Sequence, residues 1–556
     1  MVSFIQIHPD DNLLVALQSL PKGTLIQFKN KTFNLQNDIE IKHKFALESL
    51  KIGEEVKMYG VLVGKAIVDI VQGELISKKN IEHAAQNFGG RTKNYVWQAP
   101  DVSCWGNKTF MGYHRADGQV GTRNYWLVIP LVFCENRNIL TLKEAFLKEL
   151  GYAPPEIYRE QVRDLVKRLC GQSDSSKVTD LPTQLDQPIN TNRIFKNVDG
   201  IKFLTHESGC GGTREDANNL CALLAGYAVN PNVAGVTVLS LGCQHSQYDI
   251  LQQKIKEKML TLGEPEGAFT KPLYFFERQK WHTEYEMLSE AIRQTFEGLV
   301  QINKLERQPA LLSKLSVGVK CGGSDGFSGI SANPAIGYTA DLIAALGGKV
   351  LMAEFPELCG VEQELINRCV DDKTAENFSF LMREYAARAT AVGATFDMNP
   401  SPGNIRDGLI TDAMKSAGAA KKGGTSVVVD AIGYGGYAVK SGGLSLVCTP
   451  GNDVEATTGM AGAGATIQLF TTGLGTATGN PISPIVKLAT NNALAKRMPD
   501  IIDINCGGII TGEKTLEETG VEILEYIIGL ASGDYDTKAM QLGQDDFIFW
   551  RRGVSL

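Results

Sequence analysis

Two spacings of apolar residues divide the chain. Over residues 1–88 the dominant period is two. "VKMYGVLVGKAIVDIV" alternates apolar and polar positions between turn glycines, and "GTLIQF" and "KTFNL" flank Lys29-Asn30 as the arms of a tight hairpin. A helix is predicted only in "DDNLLVALQSL", with Asp10 or Asp11 as its cap. This region reads as a small β-rich domain. Residues 89–108, within "NFGGRTKNYVWQAPDVSCWGNK", carry no period and read as a linker.

Beyond the linker the pattern changes. Apolar runs at 125–134, 199–205 and 233–241 alternate with helical stretches such as "ILTLKEAFLKELG" and "REDANNLCALLAGYA". A second domain over 109–310 is therefore expected to be α/β with a largely parallel sheet. An insertion at about 150–198 interrupts it, and its polar part, "QSDSSKVTDLPTQLDQPINTN", reads as surface. A third domain over 313–556 repeats the alternation. Strand-like "LSVGVK", "GGKVLMAEF", "TSVVVDAIG", "LSLVCTP" and "TIQLFTTG" fall between helical segments such as "YTADLIAALG" and "GVEILEYIIGLASG". The expected fold is α/β and multidomain: a β-rich N-terminal unit, then two α/β domains with largely parallel sheets.

Composition narrows the class. The 556 residues are 43% hydrophobic, enough for several cores, and the formal net charge of −7 comes without a basic stripe, so nucleic acid is not an expected partner. No apolar run approaches the roughly 18 residues of a membrane-spanning helix. The N-terminus lacks a basic region followed by a small-residue cleavage site, so a soluble cytoplasmic protein is expected. Eleven cysteines are too sparse for a disulfide scaffold; in a reducing compartment they serve as core residues, metal ligands or reactive thiols.

Four of those cysteines end strand-like runs: Cys134 in "LVIPLVFCEN", Cys210 in "FLTHESGCGGT", Cys243 in "VAGVTVLSLGCQH" and Cys321 in "KLSVGVKCGGSDG". Ligands of parallel α/β sheets collect at the carboxyl ends of strands, so these thiols are candidates for one shared site. Simple packing competes, because free cysteine is among the most buried residue types. The polar neighbours favour chemistry: His206 and Glu207 near Cys210, Gln244 and His245 after Cys243, Ser324 and Asp325 after Cys321. No CxxC zinc module is present. Three or four thiolates from separate loops, near histidine, suit iron as a cluster or a single Fe(II). A cysteine nucleophile is the alternative, but it needs only one thiol.

Other polar constellations sit on loops. "GYHRADGQVGTRN" carries Arg123 and Asn124 before the first strand of the second domain, where an arginine can clamp a carboxylate. "SGISANP" with Asn333, "DMNPSPGN" with Asn399, Ser401 and Asn404, and "CTPGNDVEATTG" with Asn452 and Asp453 offer donors to a polyhydroxylated ligand, or are turn chemistry. "TTGLGTATGN" is a candidate anion cradle of backbone N–H groups. None is a nucleotide-binding loop.

Taken in order, "IHPDDNLLVAL", "HKFALESL", "GYHRADGQVGTRN", "THESGC", "LSLGC", "CGGSDGFSGISANP", "NPSPGN", "TPGND" and "FTTGLGT" resemble the altronate/galactarate dehydratase family over essentially the whole chain, the altronate branch more than the galactarate one. The resemblance implies an N-terminal SAF-type (β-clip) domain and iron-dependent dehydration of a sugar acid to a 2-keto-3-deoxy acid. D-altronate would give 2-dehydro-3-deoxy-D-gluconate, on the route from galacturonate. It also implies Cys134, Cys210, Cys243 and Cys321 as iron ligands, and His43 or His206 as the acid–base group. Arg123, Asn124, Ser324, Asp325, Asn333, Asn399, Ser401, Asn404, Asn452 and Asp453 would orient a small-molecule sugar acid. Self-association into a homo-oligomer is compatible with this reading. The chain departs from the family pattern at Lys42 (usually Gly), Gln244 (usually Glu), and Leu474 and Ala477 (usually Arg and Pro). Galactarate or a sulfonated hydroxy acid is the alternative substrate, and a non-catalytic sugar-acid or iron-binding protein the alternative class.

Overall fold

The computed structural model describes residues 3–154, 156–170, 193–265 and 269–555; the polar insertion segment 172–192 lies outside the described residues. Short antiparallel strands make up the N-terminal domain: Phe4–Ile5, Leu13–Ala16 and Lys44–Ala46 in one sheet, and Glu55–Met58, Val61–Ala66 and Ile81–Glu82 in another. Leu25–Phe28 and Lys31–Asn34 pair across Lys29-Asn30, which is the hairpin the alternation predicts. The predicted helix at "DDNLLVALQSL" is instead the central strand Leu13–Ala16, fully buried. A short unbroken apolar run fits either element, and burial on both faces decides it. Asp11 caps no helix; its carboxylate accepts from the backbone N–H groups of His8 (2.9 Å) and Gly60 (2.8 Å).

In the second domain, four parallel strands lie in the order Gly200–Phe203, Tyr125–Pro130, Val233–Ser240, Leu273–Glu277. Helices Asn136–Glu149, Arg214–Val229, Tyr248–Thr261 and Glu284–Ile302 connect and cover them. The third domain is a seven-stranded parallel sheet ordered Val428–Ile432, Gly443–Val447, Lys349–Met352, Ser316–Cys321, Ile467–Thr472, Ile485–Ala489, Ile504–Asn505. Its central strands are buried along their length, as expected of parallel strands covered on both faces. Among the described residues no helix is long and apolar enough to cross a membrane.

Backbone proximity and amide side chains join the domains. The antiparallel pair Thr109–His114 and Gln308–Leu311 closes the second domain at its base. Asn232 Nδ2 donates to Thr466 O (2.8 Å) and Ile482 O (2.7 Å) of the third domain. Where the helix Arg214–Val229 meets the helix Asp453–Gly462, a β-carbon on Gly226 would lie 1.9 Å from Gly462 O, so only glycine permits the approach. The C-terminal tail then returns to the second domain: Asp216 accepts from the N–H groups of Arg552 (2.8 Å) and Gly553 (3.1 Å), and Phe547 packs edge-on against Tyr227. The N-terminal domain docks on the third. Lys42 Nζ bridges Asp325 and Asp407, each at 3.0 Å, from a left-handed backbone (φ +74°), and buried Lys44 donates to Gly408 O at 2.6 Å.

Candidate functional site

Three cysteines meet because their strands are neighbours. Tyr125–Pro130, Gly200–Phe203 and Val233–Ser240 lie side by side and point the same way, so the loops leaving their carboxyl ends carry Cys134, Cys210 and Cys243 to one edge. Backbone bonds lace these loops together. Phe133 N–H donates to Ser208 O (3.0 Å), His245 N–H to Gly209 O (2.9 Å), and Ser246 Oγ to Leu131 O (2.5 Å). All three thiols are exposed. The Cys134 thiol is held above its ordinary pKa by desolvation and then by Cys210, with a further contribution from Cys243, so the sulfurs lie within electrostatic reach of one another.

Gly209 sets this arrangement. Its φ is +102°, and an added β-carbon would sit 2.2 Å from Leu131 O and 2.8 Å from Val132 Cα. Strain and overlap together should move the Cys210 loop away from Cys134. Gly209→Ala is expected to lower stability by about 2–4 kcal/mol and to abolish any property requiring all three thiols. Urea melts and metal titration of the variant check this.

Beside Cys210 lies a recess bounded by Gly212, Thr213, Asp216, His245 and Arg551. His245 Nδ1 donates to Gly212 O (3.1 Å), which fixes the tautomer and leaves Nε2 without a bond among the described residues. His206 is different. Its ring is buried, Nε2 donates to Pro130 O (2.9 Å), and Nδ1 accepts from Ser208 N–H (3.2 Å). Burial drives its pKa down to about 4, so it stays neutral and both nitrogens are occupied. The expected acid–base role is therefore corrected to a structural one: His206 ties the end of the first strand to the Cys210 loop.

That shift has a sign. The unfolded imidazole binds a proton near pH 6.5 and the folded one only near 4, so His206 stabilises the fold above pH 6.5. The contribution, on the order of 3 kcal/mol, is lost as pH falls from 6.5 to 4. Thermal melts across this window should show a weaker pH dependence in His206→Gln than in the parent.

Cys321 stands apart. It ends the central strand of the other sheet, is buried, and donates to Glu357 Oε2 at 3.3 Å. Burial and Glu357 push its pKa up to about 11, so it remains a thiol near neutral pH. Among the described residues, Cys321, Glu354 and Glu357 form the one group of His, Cys, Asp or Glu side chains whose ligand atoms all lie within 4.8 Å of one another. A lysine already supplies the cation there. Lys422 Nζ lies 3.3 Å from Cys321 Sγ, 3.5 Å from Glu357 Oε2 and 3.6 Å from Glu354 Oε2. Lys320 joins Glu354 (2.7 Å) to Asp453 (2.6 Å), and Lys415 binds Glu357 (2.8 Å). Three ammonium groups thus face three carboxylates, and the group needs no metal for charge balance.

Several expected ligand-binding residues make contacts within the fold. Arg123 and Asn124 precede the strand Tyr125–Pro130, at the amino end of the sheet and opposite the cysteines. Arg123 is buried and donates to Leu530 O (2.7 Å), Tyr535 O (3.2 Å) and Asp536 (3.3 Å), while Asn124 Nδ2 binds Asn197 O (2.7 Å). A carboxylate clamp is thereby corrected to a joint between domains. Ser401 and Asn404 form a capping box, Asn452 caps the helix Asp453–Gly462, and Asn333 donates to Gly418 O (3.0 Å). The N–H groups of Gly475 and Thr476 are taken by Thr472 Oγ1, which closes the expected anion cradle. Asn399 accepts from Lys415 (2.8 Å), and Ser324 O accepts from Asn404 Nδ2 (2.7 Å). Asp325 takes the Lys42 bridge, and His43 Nε2 bonds Arg406 O (3.1 Å), so both lie where the first domain docks on the third. His245 and Arg551 were absent from the expected set. His245 had a signal, its place two residues after Cys243, whereas Arg551 had none.

Family comparisons agree with this architecture. The altronate/galactarate dehydratase SAF domain matches residues 2–84, the second domain of D-galactarate dehydratase/altronate hydrolase matches 112–303, and the C-terminal domain of D-galactarate/altronate dehydratase matches 312–555. The chain is 32% identical to the altronate dehydratase of Escherichia coli (strain K12) over 538 residues, 96% of each chain. It is 31% identical to the altronate dehydratase of Bacillus subtilis (strain 168), again over 96% of each. To the galactarate dehydratase (L-threo-forming) of Escherichia coli (strain K12) it is 29% identical, over 97% of this chain and 95% of that one. With all three domains matched in order and the altronate dehydratase of Escherichia coli (strain K12) covered over 96% of its length, the chain belongs to the altronate/galactarate dehydratase family of enzymes.

Proposed function

We propose that this enzyme dehydrates an aldonate of the altronate type, removing water across C2–C3 to give a 2-keto-3-deoxy acid. The observation that carries the reading is the meeting of Cys134, Cys210 and Cys243 on three adjacent strand ends. Soft, exposed thiols on separate loops fit iron. Cys134, Cys210 and Cys243 would hold the iron, as a cluster or as a single Fe(II). Iron held by these thiols would supply a Lewis acid for the carboxylate and hydroxyl oxygens of the acid and so ease loss of hydroxide.

The chain's own residues supply the rest. His245 holds a lone pair at Nε2, because Nδ1–H is committed to Gly212 O, and it can take the C2 proton or return one to the leaving hydroxyl. His206 holds the Cys210 loop in register through its two backbone bonds.

The test is turnover of D-altronate, galactarate and a sulfonated hydroxy acid by protein purified anaerobically and reconstituted with iron and sulfide, with and without chelator. Iron-dependent keto-acid formation from altronate supports the full reading. Product from another acid alone keeps the dehydratase and changes its substrate. Undiminished turnover by iron-free, chelated protein would overturn the assignment of the three thiols.

A further inference from the structure

The recess beside Cys210 has a wall from the far end of the chain. Arg551 lies in the last residues of the third domain, yet a β-carbon on Gly212, two positions beyond Cys210, would be 3.8 Å from Arg551 Nη2. It shares the recess with His245. The neighbouring arginine shows what a structural role looks like here: Arg552 pairs with Glu215 (3.5 Å) and stacks on Trp550 at 4.0 Å. Arg551 does neither. Its one bond among the described residues runs from Nη2 to Ser555 Oγ (2.8 Å), and no carboxylate of those residues pairs with it. Among the described residues this half-buried guanidinium has no anionic partner, and it lines the recess together with Cys210 and with His245, whose Nε2 has no bond there, which is the setting of an anion site.

The tail is fixed so as to put Arg551 there. Asp216 accepts from Arg552 N–H and Gly553 N–H, the two amides after Arg551, and also from Thr213 Oγ1 (2.9 Å). The oxygens of Asp216, the carboxylate that shares the recess, are turned to these backbone amides, and no ion pair joins it to Arg551 among the described residues. Upstream, Trp550 N–H donates to Tyr434 Oη (3.0 Å), and the Trp550 ring stacks on Tyr385. Arg551 is thus held on both sides by its neighbours, while its own side chain makes only the bond to Ser555 among the described residues.

We propose that Arg551 binds the carboxylate of the acid substrate at the recess beside Cys210; this rests on the sugar-acid reading above. A guanidinium offers two parallel N–H donors to a carboxylate, which fixes the plane of C1 and so presents C2 toward the histidine side of the recess. A neutral polyol would lack the partner. The residue selects acids over alcohols, and it makes the second domain's site dependent on the third domain's tail.

Isothermal titration of the full chain with D-altronate, galactarate and the neutral polyol D-altritol, before and after iron reconstitution, tests this. Arg551→Met is expected to weaken acid binding about 10- to 100-fold and leave the thiol count and thermal midpoint unchanged. Arg551→Lys, keeping the charge without the fork, should fall between. In turnover the change should appear in KM more than in kcat. Acid binding by Arg551→Met as tight as that of the parent overturns the assignment. So does equal weakening in both variants together with a lowered thermal midpoint, which would mark Arg551 as a structural anchor of the tail. If the parent binds none of these ligands in either state, the sugar-acid reading fails first and this assignment with it.

Discussion

Serine in place of Cys134, Cys210 or Cys243 is expected to lower turnover of the sugar acid at least about 10³-fold, equivalent to about 4 kcal/mol of transition-state stabilisation. Each change should also remove most of the bound iron. Serine keeps the volume but replaces a soft thiolate with a hard, weakly acidic hydroxyl. The control is Cys321→Ser, which should retain iron, because Cys321 is a buried thiol donating to Glu357 and facing Lys422. Iron and sulfide analysis of the four variants, beside their turnover, separates the two groups. Iron loss in Cys321→Ser, or full iron in any of the other three, would break the division between the two cysteine environments.

The second large effect is on stability. Lys422 is fully buried and faces Cys321, Glu354 and Glu357. Lys422→Met is expected to destabilise the third domain by about 3–5 kcal/mol, because it strands buried negative charge without a partner. Removing a carboxylate as well should recover part of the loss, so Lys422→Met/Glu357→Gln is expected to be more stable than Lys422→Met alone. Urea unfolding of the parent, both single variants and the double variant measures the coupling. A coupling near zero would mean that the cluster is not one electrostatic unit. Glu354 adds to the interest of this group. It sits at φ +72°, and burial with the neighbouring Glu357 raises its pKa to about 7.

The fold class was legible in the sequence because it rests on local regularities. The alternation of apolar runs with helical periods identified both parallel sheets, and the hairpin at Lys29-Asn30 follows from two short arms around a polar pair. The exception is Leu13–Ala16, where four apolar residues satisfy either a helix or a strand and the neighbouring strands decided. The position of Cys134, Cys210 and Cys243 beyond strand ends was legible too, since each follows its apolar strand by a few residues.

Strand order and the path of the tail could not be read there. Nothing local distinguishes Cys321 from the other three; only its place in a second sheet, beside lysines and glutamates distant in sequence, makes it a buried thiol. The positions of Arg123 and Arg551 were hidden for the same reason. Arg123 lies on a loop that resembles a clamp, but at the amino end of its sheet, where domain-joining carbonyls take its donors. Arg551 lies in an unremarked tail, but Asp216 and Tyr434 draw that tail to the carboxyl end, where the thiols are. Periodicity is set by neighbours along the chain and survives in sequence. Which end of a sheet a side chain faces, and which charge lies beside it, are set by contacts between residues hundreds of positions apart, and tertiary packing alone supplies them.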